Sequence, residues 1–257
     1  MDWDNALLQE PPSLPMMSLL YGDAKVGKTE LAATWPKPII MAFENPGPTI
    51  SGRKDLKITP LIYSFDDAIG FLTFLYKTPN HGFETLIIET ITKMDKMFQT
   101  EVIASDPKKA SSIMAVHGGF GKGYGIVAEM HGRILKACEA LRRDRGMNIV
   151  FVAHVDIGKF SPPDGETYNV YRLDMHEDSE KHYVNNSDII AFLSQKTMTR
   201  EGEDGKTKVA STDQRILTCK SSAAHVSGNR YGIVDDIVLE KGVNPLLKYL
   251  KSERKGA

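Results

Sequence analysis

Cysteine is scarce in this sequence. Its two cysteines, Cys138 and Cys219, lie far apart and form no CxxC pair. That excludes a disulfide framework and a zinc site built on paired thiolates, and it fits a reducing compartment. Long apolar runs are missing as well, and no stretch approaches the roughly 20 residues needed to cross a bilayer. The N-terminal "MDWDNALLQEPPSLP" begins acidic and lacks the basic-then-apolar order of a secretory leader. Neither sign of charge is in excess. A formal net charge of −1 argues against a globally basic nucleic-acid binder and leaves room for a local basic patch. These absences lead us to expect a soluble cytoplasmic protein with no membrane association.

What is present is an ordinary globular composition, 41% hydrophobic and 25% charged, enough to bury a sizeable core. Residues 1–15 end in a proline cluster and read as an N-terminal arm, with one domain expected over 16–257. "MMSLLY" (16–21), "PIIMAF" (38–43), "TLII" (85–88) and "NIVFVA" (148–153) are short apolar runs of buried-strand type. Between them come helical patterns: "KTELAATW" closed by Pro36, 64–77 with Ser64 as N-cap, about 92–103, and about 125–143. Alternating strands and helices predict a parallel sheet with crossover helices on both faces, an α/β fold. Residues 104–125 and 155–185 read as long loops. "DIIAFLSQ" (188–195) and "DQRILTCK" (213–220) predict antiparallel strands added near the C-terminus through the "EGEDGK" turn, and "NPLLKYLKSERK" predicts a short amphipathic helix.

The most specific signal is "GDAKVGKT" (22–29), a full G-x-x-x-x-G-K-[ST] match with a strand before it and a helix after it. Consecutive backbone N–H groups in such a loop form an anion nest, and the following helix adds its positive end. The expected nucleotide contacts are Gly22, Asp23, Ala24, Lys25, Val26, Gly27, Lys28, Thr29 and Glu30. Lys28 would reach the β- and γ-phosphates and the Thr29 hydroxyl would ligate Mg²⁺. ATP and Mg²⁺ are therefore the expected cofactors.

Three predicted strands end in functional groups: Glu44 after "PIIMAF", Glu89 after "TLII", and His154 after "NIVFVA". In a doubly wound sheet all three belong on the rim that carries the phosphate loop. Triphosphate hydrolysis needs a carboxylate in the metal shell, a group orienting the attacking water, and a polar sensor near the γ-phosphate. Glu89 suits the first role, Glu44 the second and His154 the third. Each acid could equally be a solvated loop carboxylate if read alone.

"YGDAKVGKT", "MAFENPGP", "LIIETIT", "GGFGKGYG", "IVFVAH" and "SGNRYGIVDDI" follow one another in an order that resembles the phage-encoded, single-domain RecA-like ATPases. These are the Sak-type single-strand annealing or recombination proteins of the AAA-type P-loop families. The resemblance spans about 16–250. It implies a RecA-like P-loop NTPase core with a mainly parallel sheet. It also implies that Glu44 is the catalytic glutamate, that Glu89-Thr90 stands at the Walker B position, usually Asp-Ser, and that His154 takes the place of a γ-phosphate-sensing glutamine. Both acids being glutamates, their division into metal holder and base rests on strand order.

The resemblance further implies single-stranded DNA contacts through the loops at about 104–124 and 157–183. The span 104–146 carries eight Lys/Arg against four acids, and "KKASSIMAVHGGFGKGY" offers Lys108, Lys109 and Lys122 with the aromatics Phe120 and Tyr124. Cations, flexible glycines and aromatics are the ingredients of a loop that tracks a backbone and stacks bases. A homo-oligomer, ring or filament, is the expected assembly, with Arg230 or Lys220 as a cation offered to a neighbour's γ-phosphate and "WDNALL" as a docking segment. A single-stranded DNA-binding protein is a further expected partner. The leading reading is a DNA-dependent ATPase that promotes annealing or recombination. Alternatives are a replication motor or helicase loader, a small-molecule phosphotransferase, and a non-hydrolysing ATP-switched module.

Overall fold

The computed structural model describes residues 13–201 and 207–250, with the side chains of 197–211 excepted. Residues 1–12, which hold "WDNALL", lie outside the described residues.

The sheet is built on β1 (Met17–Gly22), β2 (Pro38–Ala42), β3 (Lys57–Ile58), β4 (Thr85–Glu89), β5 (Asn148–Phe160) and β7 (Ile189–Glu201), which pair in parallel in the order β3-β2-β4-β5-β1-β7. β8 (Thr207–Thr218) and β10 (Ile237–Leu239) extend it antiparallel beyond β7. β6 (Tyr168–Leu173) pairs antiparallel with the far half of β5, and β9 (Gly228–Asn229) with the start of β7. The sheet is mainly parallel with antiparallel additions toward the C-terminus, as the alternating pattern predicts, with one correction: 188–195, expected among the antiparallel additions, is β7, which pairs in parallel with β1 and is antiparallel only to β8 and β9.

Period-2 alternation divides the core into two layers. Met17, Leu19, Tyr21, Leu86, Ile88, Ile149 and Phe151 face one side, while Leu20, Ile40, Ile87, Val150, Val152 and Ala191 face the other. The first side is covered by α3 (Phe65–Lys77), α4 (Ile91–Ala104), α5 (Lys122–Arg145) and α6 (Glu177–Asn186). The second is covered by α1 (Lys28–Ala32) and α2 (Pro48–Ser51) together with Leu239 and Leu246. Helices thus lie on both faces. None of those described is long and apolar enough to cross a membrane.

Local chemistry sets the helix ends. Ser64 caps α3 by accepting from the Asp67 N–H, and Thr90 caps α4 by accepting from the Lys93 N–H. α5 stops at Gly146, whose φ of 68° lies in the left-handed region that favours glycine.

Two further expectations are corrected. The polar stretch 155–185 is not a loop: β5 runs past the sheet to Phe160, turns, returns as β6, and α6 follows. Its alternation is masked because the projecting hairpin has no fully buried face; Ile157, Phe160, Tyr168 and Tyr171 are all exposed. The C-terminal amphipathic helix is only a 3₁₀ turn over Leu247–Tyr249, with Leu250 already extended; 251–257 lie outside the described residues. A piece this short cannot offset the cost of helix nucleation.

Candidate active site

Strand register sets the site. Gly22 at the end of β1 is level with His154 in β5, and Glu89 at the end of β4 is level with Ala42 in β2 and Val152 in β5. Glu44 follows β2 by two residues. The phosphate loop, both glutamates and the histidine therefore share the carboxyl rim, as the sequence predicts.

The loop turns at Gly22, where a Cβ would meet the Leu193 carbonyl oxygen at 2.0 Å, so only glycine lets β1 and β7 approach this closely. Gly27 closes it with φ 95°. Buried Lys28 donates from Nζ to the carbonyls of Gly22 (2.9 Å) and Asp23 (2.7 Å). Burial pulls its ammonium below the usual lysine value, opposed by the charges of Glu89, Glu44 and Asp23. α1 is only five residues long, so the anion-binding character of the site resides in the loop more than in a helix dipole.

The Thr29 hydroxyl donates to Glu89 Oε1 over 2.9 Å. Glu89 is 4% exposed, and its Oε2 is buried with no hydrogen-bond partner. Burial pushes this carboxyl up to about 7, with the Thr29 hydrogen bond opposing and the charge of Glu44 adding to the rise. A buried carboxylate oxygen without a partner is costly and calls for a ligand. Among the described residues no three His, Cys, Asp or Glu side chains gather to cage a metal. A hydroxyl, one carboxylate and substrate phosphates are the donor set that Mg²⁺ accepts, so Thr29 and Glu89 fit that ion.

Glu44 sits across the rim, where His154 Nε2 donates to its Oε1 over 2.9 Å. Burial alone would raise its pKa. The hydrogen bond and charge of His154, the Thr90 hydroxyl and the charge of Lys93 outweigh that, holding Glu44 ionised below the usual glutamate value.

Residues 14–231 match the family model described as an AAA domain. The chain belongs to this AAA domain family of P-loop ATPases. Among curated proteins none matches the chain.

Other expected site residues of this AAA domain lie farther off. Arg230 pairs with Asp188 over 3.1 Å, and Asp188 in turn accepts from the Met17 N–H at the start of β1. Five strand residues, roughly 17 Å, separate that end of β1 from Gly22. Arg230 therefore stands at the amino end of the sheet, away from its own chain's phosphate loop. Lys220 pairs with Asp236 over 3.4 Å.

The loop after α4 is shaped by buried Asp106, which accepts from the N–H groups of Ala110 (2.9 Å) and His117 (2.8 Å). Lys108, Lys109 and Lys122 are exposed, and Phe120 is 99% exposed at a positive φ of 56°. Tyr124 differs: it is half-buried, and one face of its ring is stacked on His176 at 4.0 Å. Asp174, two residues before His176, donates its N–H to the His154 carbonyl over 3.0 Å. A short chain of contacts thus joins the Phe120 loop to the rim.

Sequence reasoning missed Arg215. From β8 its guanidinium lies over Gly27, with Nη1 2.1 Å from where a Cβ would sit, and it donates to Glu30 Oε2 over 3.2 Å. Nothing in the linear sequence couples residue 215 to residue 27. Only the β7–β8 pairing, Gln195 opposite Arg215, brings them together.

Proposed function

We propose that this chain binds MgATP at the phosphate loop, hydrolyses it, and couples that cycle to single-stranded DNA held by an oligomer, promoting annealing or recombination of the kind carried out by phage Sak-type proteins. The observation that carries the reading is the Glu44–His154 contact, because His154 lies in the same strand as the projecting hairpin and is one contact chain away from the Phe120 loop.

Glu44, ionised and hydrogen-bonded on one oxygen, orients the attacking water and takes its proton. Lys28 neutralises charge on the β- and γ-phosphates. Thr29 and Glu89 hold Mg²⁺, which supplies charge stabilisation to the phosphates when bound. His154 keeps Glu44 in place and answers to displacement of β5 and β6. Lys108, Lys109 and Lys122 meet the DNA backbone, with Phe120 as a stacking platform. Arg230, far from its own site and 62% exposed, remains the cation offered to a neighbouring protomer.

The test is fluorescence anisotropy of labelled single-stranded DNA with the full chain, with and without a slowly hydrolysed ATP analogue. The reading expects about ten-fold tighter binding with the analogue. Equal binding in both states, or none, overturns the coupling.

A further inference from the structure

The first turn of α4 is knitted to the Glu44–His154 pair. Thr90, its cap, accepts from the Lys93 N–H over 3.2 Å, and the same hydroxyl is hydrogen-bonded to Glu44. Buried Thr92 accepts from the His154 N–H over 3.0 Å, while His154 Nε2 donates to Glu44 over 2.9 Å. Ile91, Thr92 and Met94 are buried, so Lys93 is the exposed side chain of that turn. Two hydrogen bonds through Thr90 hold the Lys93 backbone nitrogen within about 7 Å of the Glu44 carboxylate. A four-carbon stem covers a similar length, which brings its ammonium within reach of the space beside that acid.

Burial works against ionisation of Glu44; His154, Thr90 and then the charge of Lys93 work for it. Yet the ion partner of Glu44 is His154, and Lys93 makes no ion pair among the described residues. Lys96, one turn on, is matched by Asp174 over 3.3 Å. Glu44 and Glu89 both stand on this side of the loop, where Lys28 is so far the one cation assigned to the terminal phosphate. Arg230 is at the other end of the sheet, and Arg215 is held by Glu30 over 3.2 Å. Charge on a phosphoryl group in transit calls for a pre-placed cation beside the base, and Lys93 is placed there.

We propose that Lys93 is a second catalytic cation of the chain's own site, contacting a γ-phosphoryl oxygen in the transition state. As the water oxygen bonds to the γ-phosphorus, the bond to the bridging oxygen of ADP breaks and Glu44 takes the water proton. Lys93 keeps its own proton and donates a hydrogen bond to an equatorial oxygen of the group in transit. ADP and phosphate leave. Resting on the hydrolysis reading given above, this adds a cation that acts from within the protomer rather than from a neighbour.

The experiment uses the full chain with Mg²⁺ and without DNA, as wild type, Lys93→Met, Lys93→Arg and Lys28→Ala. Methionine keeps the apolar stem and removes the charge. ATP turnover is measured, and calorimetry gives the affinity for ADP alone and for ADP with aluminium fluoride, which mimics the phosphoryl group in transit. Lys93→Met is expected to lower kcat by about 10²–10³-fold, with KM kept within about two-fold. Its ADP affinity stays, while the extra affinity that aluminium fluoride gives wild type falls by about ten-fold or more. Lys93→Arg recovers at least about a tenth of wild-type kcat, since the charge is kept. Mixing Lys93→Met with Lys28→Ala restores no turnover, because the cation serves its own site. A Lys93→Met kcat within about two-fold of wild type overturns the proposal, and so does equal weakening of ADP and its fluoride complex. Turnover regained in the mixture also overturns it, by placing Lys93 against a neighbour's phosphate. Failure of the hydrolysis reading looks different: wild type then neither turns over ATP nor gains affinity from aluminium fluoride, and the assignment of Lys93 falls with it.

Discussion

His154 Nε2 and Glu44 Oε1 stand 2.9 Å apart on the carboxyl rim, the histidine in β5 and the glutamate two residues past the end of β2, 110 residues apart in sequence. The pairing keeps Glu44 ionised while leaving its second oxygen free of His154. It also ties the acid to β5, which continues out of the sheet as a hairpin with β6.

Replacing this acid tests its role as the base. Glu44→Gln keeps the hydrogen-bonding shape and removes the proton acceptor. Steady-state turnover is expected to fall by about 10²–10⁴-fold, with ATP affinity retained. Turnover close to wild type assigns the base elsewhere, with Glu89 the next residue to examine.

The exposed ring of Phe120 carries the DNA side of the account. Phe120→Ala is expected to weaken single-stranded DNA by ~1–3 kcal/mol in anisotropy titrations, the range for loss of one base-stacking contact. ATP affinity should not move. Tyr124→Ala is expected to cost less, because one face of that ring is already occupied by His176. The reverse ranking contradicts the placement of the stacking platform.

Fully buried His131 donates from Nε2 to Asp95 over 3.0 Å and accepts at Nδ1 from the Tyr183 hydroxyl over 2.6 Å, joining α4, α5 and α6. Burial drives its pKa below the ordinary value, with Asp95 opposing and His182 adding to the fall. The unfolded chain then binds the proton more readily. The contribution of His131 to stability is complete above about pH 6.5 and declines as pH drops toward the folded value. Glu89, raised to about 7, acts in the opposite direction and loses its contribution as pH rises. The informative quantity is therefore the difference between wild type and His131→Gln. Urea midpoints at about pH 7.5 and about pH 5.5 should show a smaller gap between the two proteins at the lower pH. A gap that does not change with pH contradicts a neutral buried His131.

Much of this arrangement is legible in the sequence, for identifiable reasons. The buried strands announce themselves as apolar runs, and "GDAKVGKT" lies between a strand and a helix, so the loop, Glu44, Glu89 and His154 all fall on one rim. What escapes depends on pairing between distant segments. Arg215 reaches Gly27 only because β8 turns back along β7, and the hairpin of β5 and β6 lacks the buried face that gives a strand its alternation. Arg230 shows the opposite case. Its segment is recognisable, but its place at the amino end of the sheet is set by Asp188 and the β9 pairing, which no local pattern encodes.

The central claim is a phosphate-loop ATPase whose cycle is coupled to single-stranded DNA. It is tested most directly by the ATP hydrolysis rate of the full chain with and without single-stranded DNA, in wild type and Lys28→Ala. The account predicts Mg²⁺-dependent turnover in wild type that rises when DNA is added, and turnover lost in Lys28→Ala under both conditions. A wild-type rate indifferent to DNA, or a Lys28→Ala rate equal to wild type, contradicts it.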